Sequence, residues 1–82
     1  MELTLGSIVR SRAGRDKGNY LVVTAIEDNA VLICDGKERP LERPKRKNLK
    51  HIAVTTAVLG ADDMANNRAL RRALRSYSQK NQ

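Results

Sequence analysis

The chain has 82 residues, enough for one small domain. Sixteen Lys and Arg stand against nine Asp and Glu, a formal net charge of +7 that concentrates polyanions near the surface. No apolar run approaches the roughly 20 residues that span a bilayer, so no membrane partner is expected.

Val, Ile, Leu and Ala supply most apolar residues, with two Tyr and no Phe or Trp. Such a core is thin, which favours a compact fold with a helix docked on it. Cys34 is the lone cysteine. It cannot form an internal disulfide, in agreement with a reducing compartment. Residues 1–5 are short of a secretion signal and carry Glu2. The expected location is the cytoplasm.

The first two thirds of the chain read as strands. Residues 7–12 form a short one, followed by a polar loop over 13–19 that holds Gly14 and Gly18. Residues 20–26 are rich in β-branched side chains and read as a second strand. A turn at 27–29 leads to a third strand over 30–34, and Asp35-Gly36 is a hairpin signal. A weaker strand is expected over 38–42, at a sheet edge because Pro40 cannot donate to a ladder. Residues 43–50 read as a basic loop stiffened by Pro44, and 51–56 as a closing strand. Short strands at close turn spacing suggest a small barrel or sandwich.

Helical signals begin at Gly60. Asp62 and Asp63 suit a cap and a first turn, and the helix is expected from about Asp63 to Tyr77. Ala69, Leu70, Ala73, Leu74 and Tyr77 share one face. Arg68, Arg71, Arg72 and Arg75 fall on the other. Residues 78–82 are expected to fray.

Three features carry charge in a pattern. In the glycine loop, Arg15 and Lys17 can reach an oxyanion, and turn amides can cradle one. Asp16 is placed to orient a basic neighbour. The plain alternative is a solvated turn that needs glycine only for its backbone. The loop is not a Walker A motif, which requires longer glycine spacing and a Lys-Ser or Lys-Thr ending. The second feature is the segment 37–50, where Lys37, Arg39, Arg43, Lys45, Arg46, Lys47 and Lys50 face only Glu38 and Glu42. Phosphate contacts there would release counterions and make binding salt-dependent. A solvated basic loop is the plain alternative. The third is the arginine stripe, with no Asp or Glu after Asp63 to form i, i+4 pairs.

Other residues point away from chemistry. His51 is the single histidine, so no histidine cluster exists. Cys34 lies in an apolar run and reads as core. Asp62 and Asp63 read as a cap, not an acid–base pair. Tyr20 beside the glycine loop can stack on a base or close the core, and Tyr77 packs the helix end. With no nucleophile–base pair and no cofactor loop, neither an enzyme nor a cofactor is expected.

The stretch Gly6-Ser7-Ile8-Val9-Arg10-Ser11-Arg12-Ala13-Gly14-Arg15-Asp16-Lys17-Gly18-Asn19-Tyr20-Leu21-Val22-Val23 resembles a KOW motif. The resemblance extends through Val31-Leu32-Ile33-Cys34-Asp35-Gly36 to Arg43-Pro44-Lys45-Arg46-Lys47-Asn48-Leu49-Lys50-His51-Ile52. That pattern is similar to KOW-domain proteins of the archaeal and eukaryotic large ribosomal subunit. It is closer to the small KOW-domain RNA-binding proteins of Gram-positive bacteria. It implies an SH3-like β-barrel over residues 1–57, which meets RNA through its loops. Residues 58–82 then form a basic helix and tail docked on the barrel. The expected activity is RNA binding, with ribosomal RNA and the large subunit as partners of a monomer. The expected contacts are Arg12, Arg15, Lys17, Gly18, Tyr20, Arg43, Lys45, Arg46, Lys47 and Lys50, with Arg68, Arg71, Arg72 and Arg75 as a second surface. The alternative is an interaction module for an acidic protein surface of the transcription or translation machinery. DNA answers to the same charge argument, and only the resemblance favours RNA.

Overall fold

The computed structural model describes residues 3–81. Five strands form one antiparallel sheet: β1 (Ser7–Ser11), β2 (Tyr20–Ile26), β3 (Ala30–Cys34), β4 (Lys45–Asn48) and β5 (Ile52–Val58). Their order is β4-β3-β2-β1-β5, and each neighbouring pair is antiparallel. One helix, α1 (Asn67–Lys80), follows. The fold is thus mainly β with a C-terminal helix.

Both faces of the sheet are apolar, because β1, β2 and β3 carry near-continuous Val, Ile and Leu. Val9, Leu21, Val23, Val31, Ile33 and Ile52 pack together on one face. Ile8, Val22 and Cys34 point to the other, where Leu70 and Leu74 of α1 cover them. Each leucine buried there contributes about 1.5–3 kcal/mol. The helix lies away from the first cluster, so the burial there comes from the sheet curling on itself. Two irregularities help it bend. The β2–β3 register shifts between Val23 and Ala25, and the β1–β5 register shifts between Ser7 and Val9. At the second, the Thr55 hydroxyl donates to the Ile8 carbonyl at 2.6 Å. It therefore satisfies an acceptor next to the ladder break. The curl does not close into a ladder between β4 and β5.

Strands 2 and 3 match the sequence reading at both ends, whereas the fourth strand does not. Residues 38–42 form no strand, and Asp35-Gly36 does not make a two-residue hairpin. Instead, residues 35–44 make a longer connection. Asp35 commits the chain to a turn: its Oδ1 accepts the amides of Lys37 (2.8 Å) and Arg39 (2.9 Å). The Arg39 carbonyl also accepts the amides of Asp35 and Gly36. The true fourth strand lies inside the segment expected to be a basic loop. The fifth begins at Ile52, because Leu49–His51 form a 3-10 turn capped by Asn48.

The helix also starts later than expected. Asp62–Met64 form a separate 3-10 turn, and Asn66, not an aspartate, caps α1 by accepting the Ala69 amide at 2.8 Å. Its extended backbone ends the preceding turn and aims the side chain at the first helical amides. The helix continues past Tyr77 to Lys80, where the Asn81 side chain donates to the Tyr77 carbonyl at 2.8 Å. The expected fraying at 78–80 is thus replaced by helix, while Gln82 lies outside the described residues.

Candidate nucleic-acid interface

The glycine loop joins β1 to β2. Gly14 and Gly18 have φ of 78° and 88°, a backbone region that L side chains rarely adopt. Inside the loop the Lys17 amide donates to the Gly14 carbonyl and the Gly18 amide to the Ser11 carbonyl. Those two amides are therefore engaged internally, leaving side chains as the loop's main means of reaching an anion. Arg12, Arg15 and Lys17 are exposed and have no ion-pair partner among the described residues.

Asp16 has a different role from the one expected. It orients neither Arg15 nor Lys17. It is 4% exposed, and its Oδ2 accepts both Nε and Nη2 of Arg39 at 3.4 Å. This pair ties the loop to the β3–β4 connection and leaves the loop's own cations free.

The second basic segment is reshaped by strand alternation. Lys47 is 8% exposed, and its Nζ donates to the Ala13 carbonyl at 2.8 Å. Its ammonium supports the glycine loop from beneath, so the expected surface contact at Lys47 is withdrawn. Arg46 is exposed, but its Nε donates to Glu27 at 2.7 Å. Lys45 is half-buried, and Arg43 and Lys50 stay exposed without an acidic partner among the described residues.

Arg68, Arg71, Arg72 and Arg75 together line a shallow hollow of about 290 Å³ on α1. Among the described residues no carboxylate pairs with any of them. A second hollow, of about 210 Å³, runs from Gly18 and Tyr20 to Arg75 and Ser78. A third, of about 380 Å³, lies between Arg10, Arg12, Lys17 and Ala53. Gly18 borders the second and third, and Arg75 borders the first and second. The glycine loop and the arginine stripe, 50 residues or more apart in sequence, thus share one surface. Arg43, Lys45 and Lys50 line none of these hollows.

Tyr20 is half-buried and held from two sides. Its ring meets Tyr77 edge-on at 5.1 Å and 84°, and the Arg10 guanidinium sits 5.7 Å from its centroid. The two readings left open for Tyr20 are thereby narrowed: the ring packs on the helix end at the rim of the hollow. Arg10 was missed as a site residue. Its position two residues before Arg12 was the available signal, because residues i and i+2 of an extended chain share a face.

Burial pushes the Cys34 thiol up from its ordinary value, with Asp35 and Glu42 adding to the rise against a lowering contact from Thr24. That suits a core residue and not a nucleophile. Among the described residues no group of His, Cys, Asp and Glu could hold a metal ion. No helix there is long and apolar enough to cross a membrane. No protein-family model matches the chain, and no curated protein matches it.

Proposed function

We propose that the chain is an RNA-binding module, an SH3-like barrel of the KOW type that grips structured RNA by charge and shape rather than by catalysis. The observation that carries this reading is the run of hollows from Arg12 and Lys17 past Gly18 to Arg75, Arg71 and Arg68. Of sixteen Lys and Arg in the chain, Arg39 and Arg46 form the ion pairs among the described residues. The cations along the run therefore remain available to phosphates. Arginine suits that task through its bidentate fork. The sequence resemblance adds ribosomal RNA, the large subunit and the cytoplasm to the proposal.

The test is binding of a labelled structured RNA across a salt series. Replacing Arg12, Lys17, Arg71 and Arg75 by Ala should weaken binding and flatten the slope of log K against log salt. The expected decrease is about 0.7–0.9 per lost phosphate contact. An unchanged slope would overturn the reading. A matched DNA duplex and an acidic protein serve as competitors, and stronger binding to either reassigns the surface. Co-sedimentation with the large ribosomal subunit tests the ribosomal part separately.

A further inference from the structure

The hollow between the glycine loop and α1 contains two opposite charges that do not meet. Asp35 and Arg75 both line it, yet no ion pair joins them. Asp35 is fixed in place, because its Oδ1 accepts two backbone amides of its own turn. Its Oδ2 has no hydrogen-bond partner among the described residues, and neither has the Arg75 guanidinium. At Gly18 an added Cβ would meet nothing nearer than Arg10 at 3.9 Å. The volume of about 210 Å³ lies below the roughly 300–1,000 Å³ of pockets for larger ligands. It suits one planar heterocycle.

We propose that this hollow takes a single unpaired guanine of the bound RNA, read by Arg75 and Asp35. The inference rests on the RNA reading above. Guanine presents two adjacent acceptors, O6 and N7, which a guanidinium fork meets bidentately. On its neighbouring edge it presents N1–H and the N2 amine, donors that the free Oδ2 of Asp35 can accept while Oδ1 stays on its two amides. Adenine keeps N7 but turns an amine in place of O6 toward Arg75 and a lone pair in place of N1–H toward Asp35. Uracil has O4 but no adjacent N7 for the fork, and cytosine turns its amine toward Arg75. The base must be unpaired, because pairing in a duplex occupies N1–H and the N2 amine. Cations border the hollow on both sides, Arg12 and Lys17 near Gly18 and Arg71 and Arg72 beyond Arg75. These sites place phosphates on either side of an extruded nucleotide.

The experiment measures affinity for four RNA hairpins that differ in one unpaired loop base, using fluorescence anisotropy at fixed salt. Wild-type protein should favour the guanine hairpin by about tenfold or more. Asp35→Asn keeps an oxygen for the Lys37 and Arg39 amides but turns an amine toward the base. Arg75→Lys keeps the charge and loses the fork. Each should bring the four affinities within about twofold of one another, with the thermal melting curve confirming a folded chain. Four equal affinities for the wild type, still salt-dependent, would overturn the guanine site and leave the RNA reading intact. No binding to any hairpin at low salt would overturn the RNA reading and this inference with it. A guanine preference that survives both substitutions would place the base elsewhere. Guanosine monophosphate is the remaining arm, and binding as tight as that of the hairpin would reassign the hollow to a free nucleotide.

Discussion

The glycine loop and the segment 37–50 are both basic, both flanked by strands and both expected to touch RNA, yet the fold treats them in opposite ways. In the loop, Arg12, Arg15 and Lys17 are exposed and unpaired among the described residues. The denser segment has three of its seven cations diverted into structure. Arg39 holds Asp16, Arg46 holds Glu27, and Lys47 lies under the loop on the Ala13 carbonyl. Its other residues secure the helix: the Leu41 amide donates to Asn67 Oδ1 at 2.8 Å, and Asn67 Nδ2 donates to Glu42. Charge density along a sequence is therefore a poor guide to charge on a surface. A strand sends alternate side chains to opposite faces, so a run of like charge is split wherever the chain becomes extended.

The largest effect expected from breaking this division is at Gly36. Its φ is 82°, and an added Cβ would collide with the Asn67 carbonyl oxygen and lie 2.9 Å from Arg71 Cγ. Backbone strain and overpacking would act together in Gly36→Ala, lowering stability by about 2–5 kcal/mol. Urea denaturation measures this, and a midpoint within error of wild type would show that the connection does not set the position of α1. Next is Arg39→Ala, which leaves the Asp16 carboxylate buried without its partner. The expected loss is about 1–3 kcal/mol. Asp16→Asn in the same chain should recover part of it, a coupling that a double-mutant cycle reads directly.

How much of this was legible depends on which forces are local. Tyr20–Ile26 and Ala30–Cys34 follow from β-branched runs bounded by turn residues, and both strands lie where those runs lie. The apolar face of α1 follows from spacing, and Leu70 and Leu74 are buried as that spacing requires. The fourth strand was hidden because Lys45-Arg46-Lys47-Asn48 has no apolar alternation. It forms by pairing with β3, from Ala30↔Asn48 to Ile33↔Lys45, and such tertiary pairing overrides local preference. The Asp16–Arg39 pair spans 23 residues, so no local pattern announces it. For the same reason the meeting of the glycine loop and the arginine stripe could not be seen before the helix was docked.

A smaller effect follows from Cys34, buried within the second apolar cluster. Its thiol is raised above the ordinary value in the folded chain. The unfolded chain therefore releases that proton first as pH rises, and the folded state then binds more protons. Stability should fall as pH climbs through and beyond the ordinary thiol range, and be unaffected by this group below it. Cys34→Ala, compared with wild type in denaturation at several alkaline pH values, should remove that part of the decline. An identical slope in both would assign the decline to other groups.

The smallest expected effect is the sharpest test of the division itself. The Arg46–Glu27 pair is solvent-exposed, with about half of each side chain accessible, and exposed pairs contribute about 0–1 kcal/mol. Arg46→Ala should therefore change stability by less than about 1 kcal/mol. If the segment 37–50 is structural, the same substitution should also leave the salt slope of RNA binding at the wild-type value. Arg12→Ala and Lys17→Ala together should lower that slope by about 1.4–1.8. The two measurements use the same RNA and the same salt series, so they differ only in which region has lost its charge. A slope that fell equally for Arg46 would place the edge strand β4 in the interface after all. Glu27 would then be a competitor that RNA displaces, and removing it with Glu27→Gln should tighten binding.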